Sequence, residues 1–190
     1  MLDWLTYSLQ DFLLFSPDVY WRLLERYLAP LTLYLVFWQG LNVASLYISY
    51  LRQNAVIALI PLVLSWLILG GLFYYQQYTQ INPYAQHLSY LCVFQALLIL
   101  INLVFNRHSL NSIKVQKHFV WLISAILVLA PLCVMFFGPD WRLTIVGFTP
   151  LPTIIFSGLV LALMSQRLLL ILPLSLFIVE FLTLVTIWKS

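Results

Sequence analysis

The chain has 190 residues, of which 63% are hydrophobic and 8% are charged, and its formal net charge is +3. Ordinary soluble domains carry roughly 45–50% apolar and about 25% charged residues, so a water-soluble fold is excluded. The small, scattered positive excess gives no basis for binding nucleic acid.

Segmentation at charges, prolines and polar clusters predicts an all-α, polytopic transmembrane helical bundle of about six spans. They fall near residues 28–50, 55–75, 83–105, 118–137, 148–165 and 168–188, mostly near the 20 residues that a helix needs to cross hydrocarbon. An amphipathic interfacial segment over 1–27 precedes a transmembrane domain over 28–190. No extramembrane catalytic domain fits in this length.

A cleavable leader is not expected, because residues 1–26 lack a basic start and a small-residue cleavage site and contain Asp3, Asp11 and Asp18. Leu2, Leu5, Leu9, Phe12 and Leu13 form a first apolar stripe. The stretch from Phe15 to Tyr27 then has the chemistry of a helix start. Ser16 can cap it, Pro17 suits the first helical position, and Asp18 suits the positive end of the dipole. Val19, Leu23 and Tyr27 repeat at four-residue spacing, and Asp18 and Arg22 are placed to pair. Such a helix lies in the membrane interface, as an anchor leading into span one or as a lid over a cavity.

Inside the spans, polar residues group on single helix faces. Span one carries Asn42, Ser45 and Ser49 in a narrow arc, with Gln39 at its margin, and span three places Gln95 and Asn102 seven residues apart. Lipid offers such groups no partner, so both faces are expected to point into the bundle. Cys92 and Cys133 fall inside spans, where a thiol behaves as a small hydrophobe. Pro61, Pro131 and Pro173 each remove a backbone hydrogen bond and predict bends.

The segment Gly147-Phe-Thr-Pro-Leu-Pro-Thr153 heads span five. Its two alternate prolines keep the preceding residues extended, so regular helix is expected only after Pro150 or Pro152, with Thr149 or Thr153 available as cap. Span five is then about 12–15 residues long. The segment reads either as a capped start at headgroup level or as a re-entrant piece of backbone. Gly158 and Ala162 supply a small-xxx-small pair suited to close helix contact.

Of the chain's formal charges, Glu180 alone falls within a span. An ionisable side chain at that depth is a functional-site candidate by default. No basic residue in the spans can neutralise it, so desolvation favours its protonated form. Counted along the helices, Gln39, Gln95 and Glu180 reach similar depth, which allows one buried polar cluster of Glu180, Gln39, Gln95, Asn42 and Asn102. Three roles are open to this carboxyl. It can ionise when wetted and couple to a proton or cation, donate a hydrogen bond to Gln39, Gln95 or a carbonyl that fixes packing, or pair with a partner subunit's Arg.

Arg52, Arg107, Lys114, Lys117 and Arg167 face one side, and Arg22, Arg26, Arg142 and Lys189 the other. Five against four puts both termini on the non-cytoplasmic side. The HExxH, CxxC, GxSxG and P-loop patterns are all missing, and His87 and His118 open spans on opposite sides. His108 lies in the polar 106–117 loop, whose Arg107, Lys114 and Lys117 can meet anionic headgroups. No catalytic residue, cofactor or metal is therefore assigned, and no enzyme activity is expected. The two halves of the chain also lack the sequence repeat of an inverted-repeat transporter.

Through the FSPxxY segment at Phe15 to Tyr20 and the GxxPxPT segment at Gly147 to Thr153, the chain resembles an uncharacterised family of bacterial integral membrane proteins, a domain of unknown function. The resemblance implies a bacterial inner membrane and six or so helices, and supplies no catalytic residues. The expected function is a non-catalytic accessory subunit or assembly factor, embedded in the lipid bilayer and bound to a protein partner or to further copies. The alternative is a small oligomeric transporter or channel that uses Glu180.

Overall fold

The computed structural model describes residues 17–106, 117–137, 140–163 and 167–188. The Leu2 to Leu13 stripe, the Ser16 cap and the Arg107 to Lys114 part of the basic loop lie outside the described residues.

The chain is an all-α bundle. Helix α1 (Pro17–Leu28) passes through a 3-10 turn at Ala29–Leu31 into α2 (Thr32–Arg52). Pro30 sits in that turn, where its missing N–H interrupts the α ladder without ending the helix. At the far end Gln53 takes a left-handed conformation and returns its N–H to the carbonyls of Ser49 and Tyr50, closing α2. Asn54 accepts the Val56 N–H through Oδ1 and so starts the next helix.

Helix α3 (Val56–Ile68) widens into a π-helical stretch over Leu69–Gln77 and finishes in a 3-10 turn at Tyr78–Gln80. Helix α4 (Ala85–Phe105) returns beside it, followed by α5 (Lys117–Phe137), α6 (Pro150–Leu163) and α7 (Ile171–Trp188). Further 3-10 turns at Trp141–Thr144 and Arg167–Leu170 precede α6 and α7.

Among the described residues, four helical stretches are long and apolar enough to cross a membrane: Asp18–Arg52, Val56–Gln80, Ala85–Phe105 and His118–Phe136. Two apolar helices among the described residues, Pro150–Ala162 and Ile171–Thr183, are shorter. The chain is thus a multi-pass membrane protein, in which α6 (14 residues) and α7 (18 residues) complete an all-α bundle with these stretches.

Helix α3 is its centre, packed against α2, α4 and α6. Of its most apolar window 56% is buried, against 17% for α5. Gly70 makes the α3–α4 contact possible, since a Cβ there would lie 2.9 Å from the Cys92 Cβ and 3.1 Å from the Ser89 carbonyl oxygen. Gly158, by contrast, faces open space and Ala162 is exposed, so their small-residue face is unused within the chain.

The buried face of α1 is rotated from the expected one. Tyr20, Leu24, Tyr27 and Leu28 are buried, whereas Val19 is exposed. The reason is aromatic packing on protein: Tyr27 meets Phe73 at 5.8 Å and Tyr20 meets Tyr78 at 5.8 Å between ring centroids. Among the described residues the salt bridge is Arg142 with Asp140, and the expected Asp18–Arg22 pair does not form.

Candidate functional site

Glu180 projects from α7 into the bundle and is 5% exposed. Tyr74, in the π-helical part of α3, donates its hydroxyl to Glu180 Oε1. Tyr20 and Tyr78 lie within electrostatic range of the same carboxyl. The ring centroids of Tyr74 and Tyr78 are 6.0 Å apart, and Phe73 stacks on Tyr78 at 5.6 Å. A single buried carboxyl thus lies among phenols from α1 and from the Val56–Gln80 stretch. Thr183, one turn along α7, donates to the Val179 carbonyl.

The sequence-predicted polar residues are all buried, and they bond to separate parts of the chain. Gln39 Nε2 donates to the Leu127 carbonyl of α5 at 2.8 Å, and Gln39 Oε1 accepts the Val146 N–H at 3.4 Å. Gln95 Nε2 donates to the Leu169 carbonyl at 3.1 Å, at the turn that opens α7. Asn42 donates to the Trp38 carbonyl one turn back, and Asn102 accepts from Asn106. Glu180 is held apart from these by Tyr74, which lies in the last third of the Val56–Gln80 stretch. Gln39 and Gln95 instead lie about midway along α2 and α4. Counting rise from the terminal side gave the three residues similar depth; in the bundle α7 begins beside the middle of α4, where Gln95 meets the Leu169 carbonyl.

The Gly147–Thr153 segment is a second built feature. Residues 145–150 are all buried. Gly147 has φ +88, and a Cβ on it would lie 2.8 Å from Trp38 Nε1 and 3.0 Å from Ser65 Oγ. Phe148 packs edge-on to Trp38 at 6.4 Å. Gln39 and Ser65, which meet this backbone, lie about midway along α2 and along the Val56–Gln80 stretch. Its polar groups are met internally: Gly147 N–H donates to Thr153 Oγ1 at 2.6 Å, and Thr149 Oγ1 donates to the carbonyls of Leu143 and Ile145. Non-helical backbone within a membrane bundle needs such cover.

Helix α6 starts at Pro150, with Pro152 inside its first turn. Thr149, Thr153 and Ser157 then form a ladder in which each hydroxyl donates to the carbonyl four residues back. The four-residue spacing of these hydroxyls was visible in the sequence.

Two cavities meet at Trp141 and Met135. An apolar cleft of about 640 Å³ lies between α2 and α5, bordered by Val36, Gly40, Ala44 and Tyr47 on one wall and Val128, Pro131 and Leu132 on the other. Gln39 is part of its lining. Beside it, Glu25, Thr32, Asp140 and Arg142 line a polar pocket of about 430 Å³. Asp140 accepts from Arg142 Nε at 2.9 Å and pairs with Nη2 at 2.7 Å. That bonded carboxylate is the main reason the guanidinium is raised above its ordinary value, with Glu25 adding to it.

Among the described residues no group of three or more His, Cys, Asp or Glu side chains is placed to hold a metal ion. Cys92 and Cys133 are free thiols, buried and exposed respectively. Compared with known proteins, the chain matches no family model, no curated protein and no solved structure. The resemblance carried by the FSPxxY and GxxPxPT segments therefore rests on those two motifs alone.

Proposed function

We propose that this chain is a non-catalytic accessory subunit or assembly factor of a larger bacterial inner-membrane complex. The observation that carries the reading is the unequal packing of its spans. Helix α5 is barely covered by the rest of the chain. Its outer face presents Leu122, Ile126, Leu129 and Phe136 at three- and four-residue spacing or multiples of it, all at least 40% exposed. Gly158 and Ala162 leave a second small-residue face uncovered. Close packing between membrane helices depends on such faces.

Purification in mild detergent from native membranes, followed by mass determination, tests this reading. A stoichiometric partner is expected, and its recovery should drop when Ile126→Trp and Leu129→Trp enlarge the outer face without adding polarity. A homogeneous, well-behaved isolated chain would count against it. On the basic-residue count, the same reading has the α1 end of the bundle facing away from the cytoplasm.

A second reading, a small oligomeric transporter or channel, is favoured by one observation: Glu180 is buried among phenols and bonded to Tyr74. A carboxyl held by a hydroxyl donor can exchange a proton when wetted. Proton flux in proteoliposomes that Glu180→Gln abolishes would move the weight to transport, and an absence of flux in the unmodified chain would remove it.

A further inference from the structure

The α2–α5 cleft and the polar pocket beside it have the shape and chemistry of a lipid site. The cleft runs along α2 from Val36 to Tyr47, about 16 Å at the rise of an α-helix. That is about half of a 30 Å hydrocarbon core, the depth of one leaflet. Gly40 and Ala44 keep its floor low, and nothing lies within 4 Å of where a Gly40 Cβ would be. The polar pocket opens where α1 meets α2, where α5 ends and where the 140–144 turn crosses. It therefore stands at the end of the cleft where a headgroup would emerge.

Charge selects the headgroup. The pocket has two carboxylates, Glu25 and Asp140, and one guanidinium, Arg142. Asp140 engages Nε and Nη2 of Arg142, which leaves Nη1 to meet a phosphate oxygen. Glu25 then faces the remaining, positive part of a headgroup. An anionic headgroup would bring a second negative group to a pocket whose formal charge is already negative. We propose that the α2–α5 cleft binds one phospholipid with a zwitterionic ethanolamine headgroup, with an acyl chain along Gly40 and Ala44, its phosphate at Arg142 and its ammonium at Glu25. This site is separate from the outer face of α5, so it holds whether or not a protein partner docks there.

Native mass spectrometry of the full-length chain tests it, with the delipidated protein offered equal amounts of phosphatidylethanolamine and phosphatidylglycerol of matched acyl chains. The ethanolamine lipid should be retained about two- to fivefold over the glycerol lipid, the discrimination that one exposed ion pair supports. Glu25→Gln should bring that ratio close to one. Gly40→Leu, which fills the cleft at a position with open space, should reduce retention of both lipids. Equal retention, a preference for phosphatidylglycerol, or a Gly40→Leu chain that holds lipid as before would overturn the proposal. Thermal unfolding of the unmodified chain in the two lipids is a second readout that needs no variant. Greater protection by phosphatidylethanolamine is expected, and equal protection would also overturn it.

Discussion

At the residue scale the informative contact is Tyr74 with Glu180, since the carboxyl's acceptor capacity is met by a phenol rather than by an amide or a basic group. Removing one partner of a buried hydrogen bond leaves the other unsatisfied, at roughly 1–3 kcal/mol. Tyr74→Phe is therefore expected to destabilise the chain by about that much in denaturant unfolding from micelles. Glu180→Gln, whose side chain can still accept from Tyr74, should lose less, whereas Glu180→Leu, which cannot accept, should show a coupling of order 0.5–3 kcal/mol when combined with Tyr74→Phe. Additive losses would mean that the contact carries no energy. Gly147 makes the complementary case for backbone. Its φ of +88 and the 2.8 Å approach to Trp38 Nε1 combine a disfavoured conformation with a clash. Gly147→Ala should cost about 2 kcal/mol or more, whereas Gly158→Ala, which meets open space inside α6, should stabilise by up to about 1 kcal/mol.

At the element scale, close approach and loose approach coexist in one bundle. The α3–α4 pair is brought together by Gly70, and its π-helical winding turns Phe73 and Tyr74 inward, both fully buried. Gly70→Leu should separate the two helices and release the grip on Cys92, detected as faster reaction of that buried thiol with a small maleimide; an unchanged rate would refute this packing role. Helix α5 is the opposite case, held to α2 chiefly where Gln39 reaches the Leu127 carbonyl and to the 140–144 turn at its end. The same glutamine accepts the Val146 N–H and so joins α2, α5 and the buried 145–149 backbone.

For the whole molecule, orientation is the property most open to direct measurement. The turn between α2 and α3 and the turn between α3 and α4 lie at opposite ends of the central helix. In a cysteine-free background, Tyr84→Cys is expected to react with a membrane-impermeant maleimide in intact cells, and Gln53→Cys only after permeabilisation. The reverse pattern would turn the bundle over and place α1 against the cytoplasm.

Much of the architecture was legible in the sequence. The helical stretches at 32–52, 56–80, 85–105 and 117–137 fall close to the spans read from hydropathy, because length and apolarity are local properties that lipid tests one segment at a time. The short α6 behind Gly147–Thr153 was legible for the same reason, since proline restricts its neighbours wherever it stands. Which faces meet was not legible. The amphipathic pattern of α1 marked an apolar side without fixing its rotation against Phe73 and Tyr78, and the stretches that carry Gly70 and Gly158 mark no inner side, so the offset burial of α1 and the choice of Gly70 over Gly158 for close contact emerged only in the assembled bundle. Burial of Gln39, Asn42, Gln95, Asn102 and Glu180 followed from the aversion of polar groups to hydrocarbon, which acts on each residue alone. Their partners depended on distant chain, as with Tyr74 for Glu180 and Leu169 for Gln95. A sequence on its own determines what must leave the lipid; only tertiary packing decides what it meets, because a hydrogen bond needs two groups brought together by helices whose relative depth and rotation no single segment encodes.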